Sequence, residues 1–112
     1  RGLVANAEKV GAYMQKRLRE FADHPLVGEV RGVGLIAGVE LVTDKATKAK
    51  FDPVGKAGAI YTRKSAENGL INRAIGDTIC FCPPLIITEA QVDEMIARFS
   101  KSLDETAAEL KG

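Results

Sequence analysis

The sequence predicts an α+β domain: an antiparallel sheet with helices on one face, in the order helix, two strands, helix, two strands, helix. Three observations support this. Residues 3–21 and 89–110 repeat apolar residues at three-and-four spacing, which draws one apolar stripe along a helix. Two pairs of short apolar runs meet at glycine-containing turns and read as hairpins. No repeat, low-complexity tract or internal linker interrupts the order, and 112 residues suit one domain, 1–112, with a single core.

The first helix carries Leu3, Ala7, Val10, Met14, Leu18 and Phe21 on its stripe, with Glu8, Lys9, Gln15, Lys16, Arg17 and Arg19 opposite. Asp23-His24-Pro25 ends it, because the residue before a proline is pushed out of the α region. His24 is the sole histidine and is read as a helix-ending residue in a connector.

Val27–Arg31 and Leu35–Leu41 follow as strands joined around Gly32-Val33-Gly34. Leu35, Ala37, Val39 and Leu41 alternate against Ile36, Gly38 and Glu40. The glycines superficially match a dinucleotide-binding loop, but the spacing is wrong and a strand follows where a helix N-terminus is needed. They are read as serving a bend or bulge and close packing. Thr43–Pro53 is polar, and Lys45, Lys48 and Lys50 read as a solvated loop. A second helix opens at Pro53 or Val54, continues through Ala57, Ile60, Tyr61 and Ala66, and stops at Gly69.

The second hairpin pairs Leu70–Ile75 with Thr78–Phe81 across Gly76-Asp77, and Pro83-Pro84 stops the second strand. Within it, Arg73 is a permanent cation sharing a strand face with Ile71 and Ile75. A two-residue loop pairs Ile75 with Thr78 and Arg73 with Cys80. Directly opposed Cβ atoms then lie about 4.5–5.5 Å apart. After Leu85-Ile86-Ile87, Thr88 and Gln91 form a capping box for the last helix. Its stripe runs Val92, Met95, Ile96, Phe99, Leu103, Ala107 and Leu110.

Composition excludes several classes of partner. Sixteen basic residues against 15 acidic ones leave a net charge of +1, which gives no electrostatic reason to expect nucleic acid or an anionic membrane. No apolar run approaches bilayer-spanning length. Cys80 and Cys82, the only cysteines, point to the same side of a strand. Their spacing does not fit a structural zinc site, and we expect two buried apolar thiols in a reducing cytosol. Arg1-Gly-Leu-Val has neither Met nor a signal-peptide pattern and begins inside a helical pattern, so we expect a piece of a longer cytoplasmic protein.

Two separated motifs then meet a known pattern. Val27-Gly-Glu-Val-Arg-Gly-Val-Gly-Leu-Ile-Ala-Gly-Val-Glu-Leu41 comes first. Gly69-Leu-Ile and Gly76-Asp-Thr-Ile-x-Phe-x-Pro-Pro-Leu-Ile-Ile-Thr88 follow. Together they resemble the C-terminal part of class III aminotransferases, pyridoxal-phosphate (PLP) enzymes of fold type I. The Pro-Pro-Leu-Ile-Ile-Thr-Glu-x-Gln-x-Asp run is similar to the amine:pyruvate, or ω-amino acid, transaminase subgroup.

The resemblance implies that this segment is the small domain beside a large PLP-binding domain, which holds the Schiff-base lysine and most phosphate contacts. No segment here matches those motifs, so it implies no catalytic residue, no metal and no PLP in this piece. It implies a homodimeric parent acting on a small-molecule amine and a keto acid. It also implies that Arg73 reaches the substrate carboxylate and swings away for a large apolar amine. The chemistry agrees, since a guanidinium fork pairs bidentately with a carboxylate. Ornithine-type relatives carry their carboxylate-binding arginine at the position of Cys80, so their substrate mode is not expected here. A structural alternative for Arg73 is an edge-strand charge paired with a local carboxylate; Arg31 is read as structural, answering nearby carbonyls or Glu29. Two other parents remain open: a decarboxylase or aminomutase of the same family, and a free-standing α+β ligand-binding or regulatory module with its own start codon just upstream.

Overall fold

A computed structural model of the chain describes residues 2–45, 47, 49, 51, 54–70, 72–83 and 87–111. Helix α1 spans Gly2–Arg19 and tightens into a 3₁₀ turn over Glu20–Asp23. Strands β1 (Val27–Val33) and β2 (Ile36–Leu41), helix α2 (Lys56–Glu67), strands β3 (Arg73–Ile75) and β4 (Thr78–Phe81) and helix α3 (Glu89–Lys111) follow. The element order is the expected one. All pairings are antiparallel, and the strands lie side by side as β1-β2-β4-β3.

Alternation along the strands divides the sheet into two faces. Ala37, Val39, Leu41, Ile79 and Phe81 are buried against Val10, Met14 and Leu18 of α1, Ala57 and Tyr61 of α2, and Val92, Ile96, Phe99 and Leu103 of α3. Phe99 is the centre of this layer. The rings of Phe21, Phe81 and Tyr61 approach it edge-on, with centroids at 4.8, 5.1 and 5.9 Å. Such pairs add about 0.5–1.5 kcal/mol each beyond their burial. None of the described helices buries the other sheet face, where Val33, Ile36 and Ile75 are exposed.

The helix ends follow local chemistry. Gln91 N–H donates to Thr88 Oγ1 at 3.2 Å and Thr88 N–H to Gln91 Oε1 at 3.0 Å, the reciprocal capping box. Gly69, at φ 79°, takes the left-handed position after α2. The Leu70 and Gly69 N–H groups return to the carbonyls of Ser65 and Ala66, a Schellman stop. Helix α2 starts at Lys56, later than Pro53 or Val54, because its cap is tertiary. The carboxylate of Asp77, in the β3–β4 turn, accepts from Gly55 N–H at 2.9 Å and Gly58 N–H at 2.8 Å. Pro53 lies outside the described residues, as do Lys48, Lys50, Ile71, Pro84, Leu85 and Ile86.

Both hairpin turns press a glycine against a helical glycine. A Cβ at Gly11 of α1 would lie 2.7 Å from the Gly34 carbonyl carbon, and one at Gly58 of α2 would fall on the Gly76 carbonyl oxygen. The β1–β2 glycines therefore serve close approach, as expected, while the register shift lies at Gly28, between Val27 and Glu29. The second hairpin is shorter than expected, with β3 beginning at Arg73 instead of Leu70. Leu70 is instead part of the helix stop and packs against the core.

Three polar links were not foreseen. His24 ends the 3₁₀ turn, and its ring also accepts from Leu26 N–H at Nδ1 (3.1 Å) while Nε2 meets Asp104 of α3 at 2.9 Å. Lys45, read as a solvated lysine, donates to the carbonyls of Ala22, His24 and Val27. Arg63 of α2 donates to both carboxylate oxygens of Glu109 on α3, at 2.5 and 2.6 Å. That hydrogen bond, aided by Lys64, holds the Glu109 carboxyl below the usual carboxylate range. A lowered carboxyl contributes stability above its unfolded-state pKa and loses it as pH falls through the folded value. Glu109→Gln should therefore slightly flatten the acid limb of urea stability against pH, more at low salt than at high, because the pair is exposed.

Candidate functional site

The site lies at the β3 edge of the sheet, on the face turned away from the core, with Met95 of α3 among its lining residues. Register places Arg31 opposite Gly38, Gly38 opposite Cys80, and Cys80 opposite Arg73, a straight row across all four strands. The next row is Glu29, Glu40, Thr78 and Ile75. The expected hairpin pairing of Arg73 with Cys80 and Ile75 with Thr78 is thus the observed one. Small residues, Gly38 and Cys80, form the floor between two guanidinium-bearing edges.

Arg73 is exposed on β3 and lines a hollow with Leu70, Asn72, Cys80, Cys82 and Met95. Its charge is unanswered among the described residues. The other described arginines all have polar partners. Arg17 meets Asp93, Arg19 meets Gln15, Arg63 meets Glu109, and Arg98 meets Glu94. Arg31 has Glu29 at 3.9 Å, as expected of a structural arginine. A local ion pair was the alternative for Arg73, and the described residues supply none.

Its backbone, by contrast, is firmly held. The Tyr61 hydroxyl, rising from the core side of α2, donates to Asn72 Oδ1 at 2.6 Å, and Asn72 Nδ2 reaches the Cys80 carbonyl at 3.5 Å. Burial pushes the Tyr61 phenol well above its ordinary value, so it stays a neutral donor. On the far side of Arg73, Asp77 ties the turn to α2, and its carbonyl accepts from Leu41 N–H at 2.9 Å. The sequence marked Tyr61 only as part of an apolar stripe; a buried tyrosine's need for a hydroxyl partner was the signal available. Tyr61→Phe strands a half-buried amide oxygen and should lower stability by about 1–2 kcal/mol in urea titration.

The thiols differ from expectation. Both are free: Cys80 is half-buried, because β4 turns its even-numbered side chains away from the core, and Cys82, just past the end of β4, is exposed. Among the described residues, the hollow beside Arg73 offers one guanidinium, one amide and two thiols. Such a donor set suits a carboxylate. A separate groove, lined by Leu26, Val42, Phe51, Lys56, Leu110 and Lys111, carries no motif read from the sequence. No group of three or more metal-ligating side chains occurs among the described residues.

Comparison with known proteins bears on the family of the chain. Residues 1–103 match the family model described as aminotransferase class-III. The chain is 50% identical over 105 residues to a putrescine–pyruvate aminotransferase of Pseudomonas aeruginosa, covering 90% of this chain and 23% of that protein. It is 45% identical to a diaminobutyrate–2-oxoglutarate transaminase of Halomonas elongata, over 93% of this chain and 23% of that one. Among solved structures, a transaminase with L-ala superposes with a TM-score of 0.94 at 59% identity, covering 98% of this chain and 26% of that chain. The omega transaminase of Pseudomonas jessenii in complex with PMP gives 0.91 at 45% identity, over 96% and 24%. The chain therefore spans about a quarter of the length of the relatives it matches. With its α+β layer matching the small domain of a transaminase, the chain belongs to the class III aminotransferases.

Proposed function

We propose that this chain is the C-terminal small domain of a PLP-dependent transaminase that moves an amino group between an amine or ω-amino acid and a keto acid such as pyruvate. Arg73 is the group that takes the substrate carboxylate. The observation that carries the reading is the arginine itself, exposed, unpaired among the described residues and fixed at its backbone by Tyr61–Asn72 and Asp77. A charge-assisted hydrogen bond to a carboxylate is worth roughly 1.5–3 kcal/mol, enough to favour an acid over a neutral analogue by tenfold or more. A guanidinium with no partner among the described residues also gives up no described interaction when it turns aside for an apolar amine.

The rest of the intact protein supplies PLP, its lysine and the chemistry. PLP there provides carbanion stabilisation; this domain provides the pocket wall and the acid-recognising charge. The proteins named for putrescine with pyruvate and for L-ala support an amine and keto-acid pair, and we read the parent as a cytoplasmic homodimer like others of its kind. The test is formation of alanine from pyruvate by the intact protein with a panel of diamines, ω-amino acids and aromatic amines. Amine-dependent alanine is the expected result. Loss of carbon dioxide or internal amine migration without alanine would instead identify a decarboxylase or aminomutase.

A further inference from the structure

Cys80 and Cys82 stand in the same hollow as Arg73, and the reaction described so far uses neither. Their surroundings differ in one respect. Cys80 is the direct ladder partner of Arg73, so their Cβ atoms are separated by about 4.5–5.5 Å. Cys82 lies two residues further along, just past the end of β4, and is the more exposed. Both thiols are free, and residues two apart on extended backbone are held about 6.6 Å apart, farther than the roughly 3.5–4.5 Å between bridged Cβ atoms. Each thiol is therefore available to an outside molecule and not to the other.

We propose that Cys80 and Arg73 together form a modification site for small thiol-reactive molecules bearing a carboxylate, including carboxylated disulfides. The guanidinium holds the carboxylate while the neighbouring sulfur attacks. With a disulfide, the Cys80 thiolate forms a new S–S bond, the old S–S bond breaks, one half leaves as a thiolate, and the thiol proton passes to water. The attached carboxylate then occupies Arg73, so modification blocks recognition of acid substrates while leaving the rest of the fold in place. Access in the intact protein rests on the proposed function, in which this hollow is where the substrate carboxylate arrives.

Two alkylating reagents of nearly equal size test the pairing: iodoacetate, which carries the carboxylate, and iodoacetamide, which does not. Each displaces iodide from carbon as the C–S bond forms. In the intact protein, Cys82→Ser and Cys80→Ser variants isolate one thiol each, and peptide mass spectrometry gives the rates. The ratio of iodoacetate to iodoacetamide rates should be about tenfold higher at Cys80 than at Cys82, although Cys82 is the more exposed. Arg73→Leu should bring the two ratios together, and added pyruvate should slow iodoacetate at Cys80 without slowing iodoacetamide to the same degree. Equal ratios at both thiols, or a Cys80 ratio unchanged by Arg73→Leu or by pyruvate, would overturn the proposal. If Arg73 has no part in turnover, the alkylation pattern stands alone; if the pattern is absent while Arg73 variants lose acid substrates selectively, only the thiol site fails.

Discussion

Replacing Arg73 by alanine in the intact protein should lower kcat/KM for pyruvate and other carboxylated acceptors by tenfold or more, while half-reactions with neutral aromatic amines lose threefold or less. The asymmetry follows from what the side chain touches. Arg73 is exposed and makes no side-chain hydrogen bond or ion pair with the described residues, so its removal should leave the fold in place. Only a ligand carboxylate loses its charge-assisted partner, and that interaction is worth roughly 1.5–3 kcal/mol. Arg73→Lys should recover part of the loss, since an ammonium keeps the charge but not the planar fork. Parallel losses for acids and neutral amines in stopped-flow half-reactions would assign Arg73 to structure instead of recognition.

The second large effect concerns stability and has a sign opposite to helix propensity. Glycine to alanine inside a helix ordinarily gains up to about 1 kcal/mol. At Gly58 the added methyl meets the main chain of Gly76, which cannot turn aside as a side chain would. The hairpin must lift away, taking Asp77 and its two hydrogen bonds to the start of α2 with it. Overpacking against backbone costs about 1–3 kcal/mol and loss of a cap about 1 kcal/mol more. Gly58→Ala should therefore destabilise by roughly 2 kcal/mol net. Ala59, the exposed next residue, provides the internal control. There the reverse change, Ala59→Gly, should cost about 0.5–1 kcal/mol by propensity alone. Urea midpoints for the pair settle it: both variants should fall below the parent, and a gain for Gly58→Ala would mean the turn does not press on the helix.

These two sites show what the sequence disclosed and what it withheld. Helix faces, the capping box at Thr88–Gln91 and the pairing of Arg73 with Cys80 were legible because each depends on residues a few positions apart. A two-residue turn fixes its own register, so Gly76-Asp77 was enough to bring Arg73 and Cys80 together. The tertiary cap was not legible. Asp77 sits in its turn for one local reason and serves a helix some 20 residues earlier for another, and only the folded path joins them. The same holds for His24 with Asp104 and Tyr61 with Asn72. The exposure of Cys82 was missed because an apolar neighbourhood in sequence was taken for burial, whereas the strand ends at Phe81 and Cys82 follows it into solvent. The state of Arg73 was the least legible of all, since whether a cation has a partner depends on every other carboxylate in the fold.

Val33, Ile36 and Ile75 leave 78, 63 and 64% of their surface in water on one side of the sheet. Expressed alone, the chain carries a greasy patch that its solvent-facing charges, nearly balanced in sign, do little to keep apart from copies of itself. Its colloidal behaviour should therefore depend on concentration and improve when these three positions are made polar, a change that would be ruinous in a longer protein relying on the same surface.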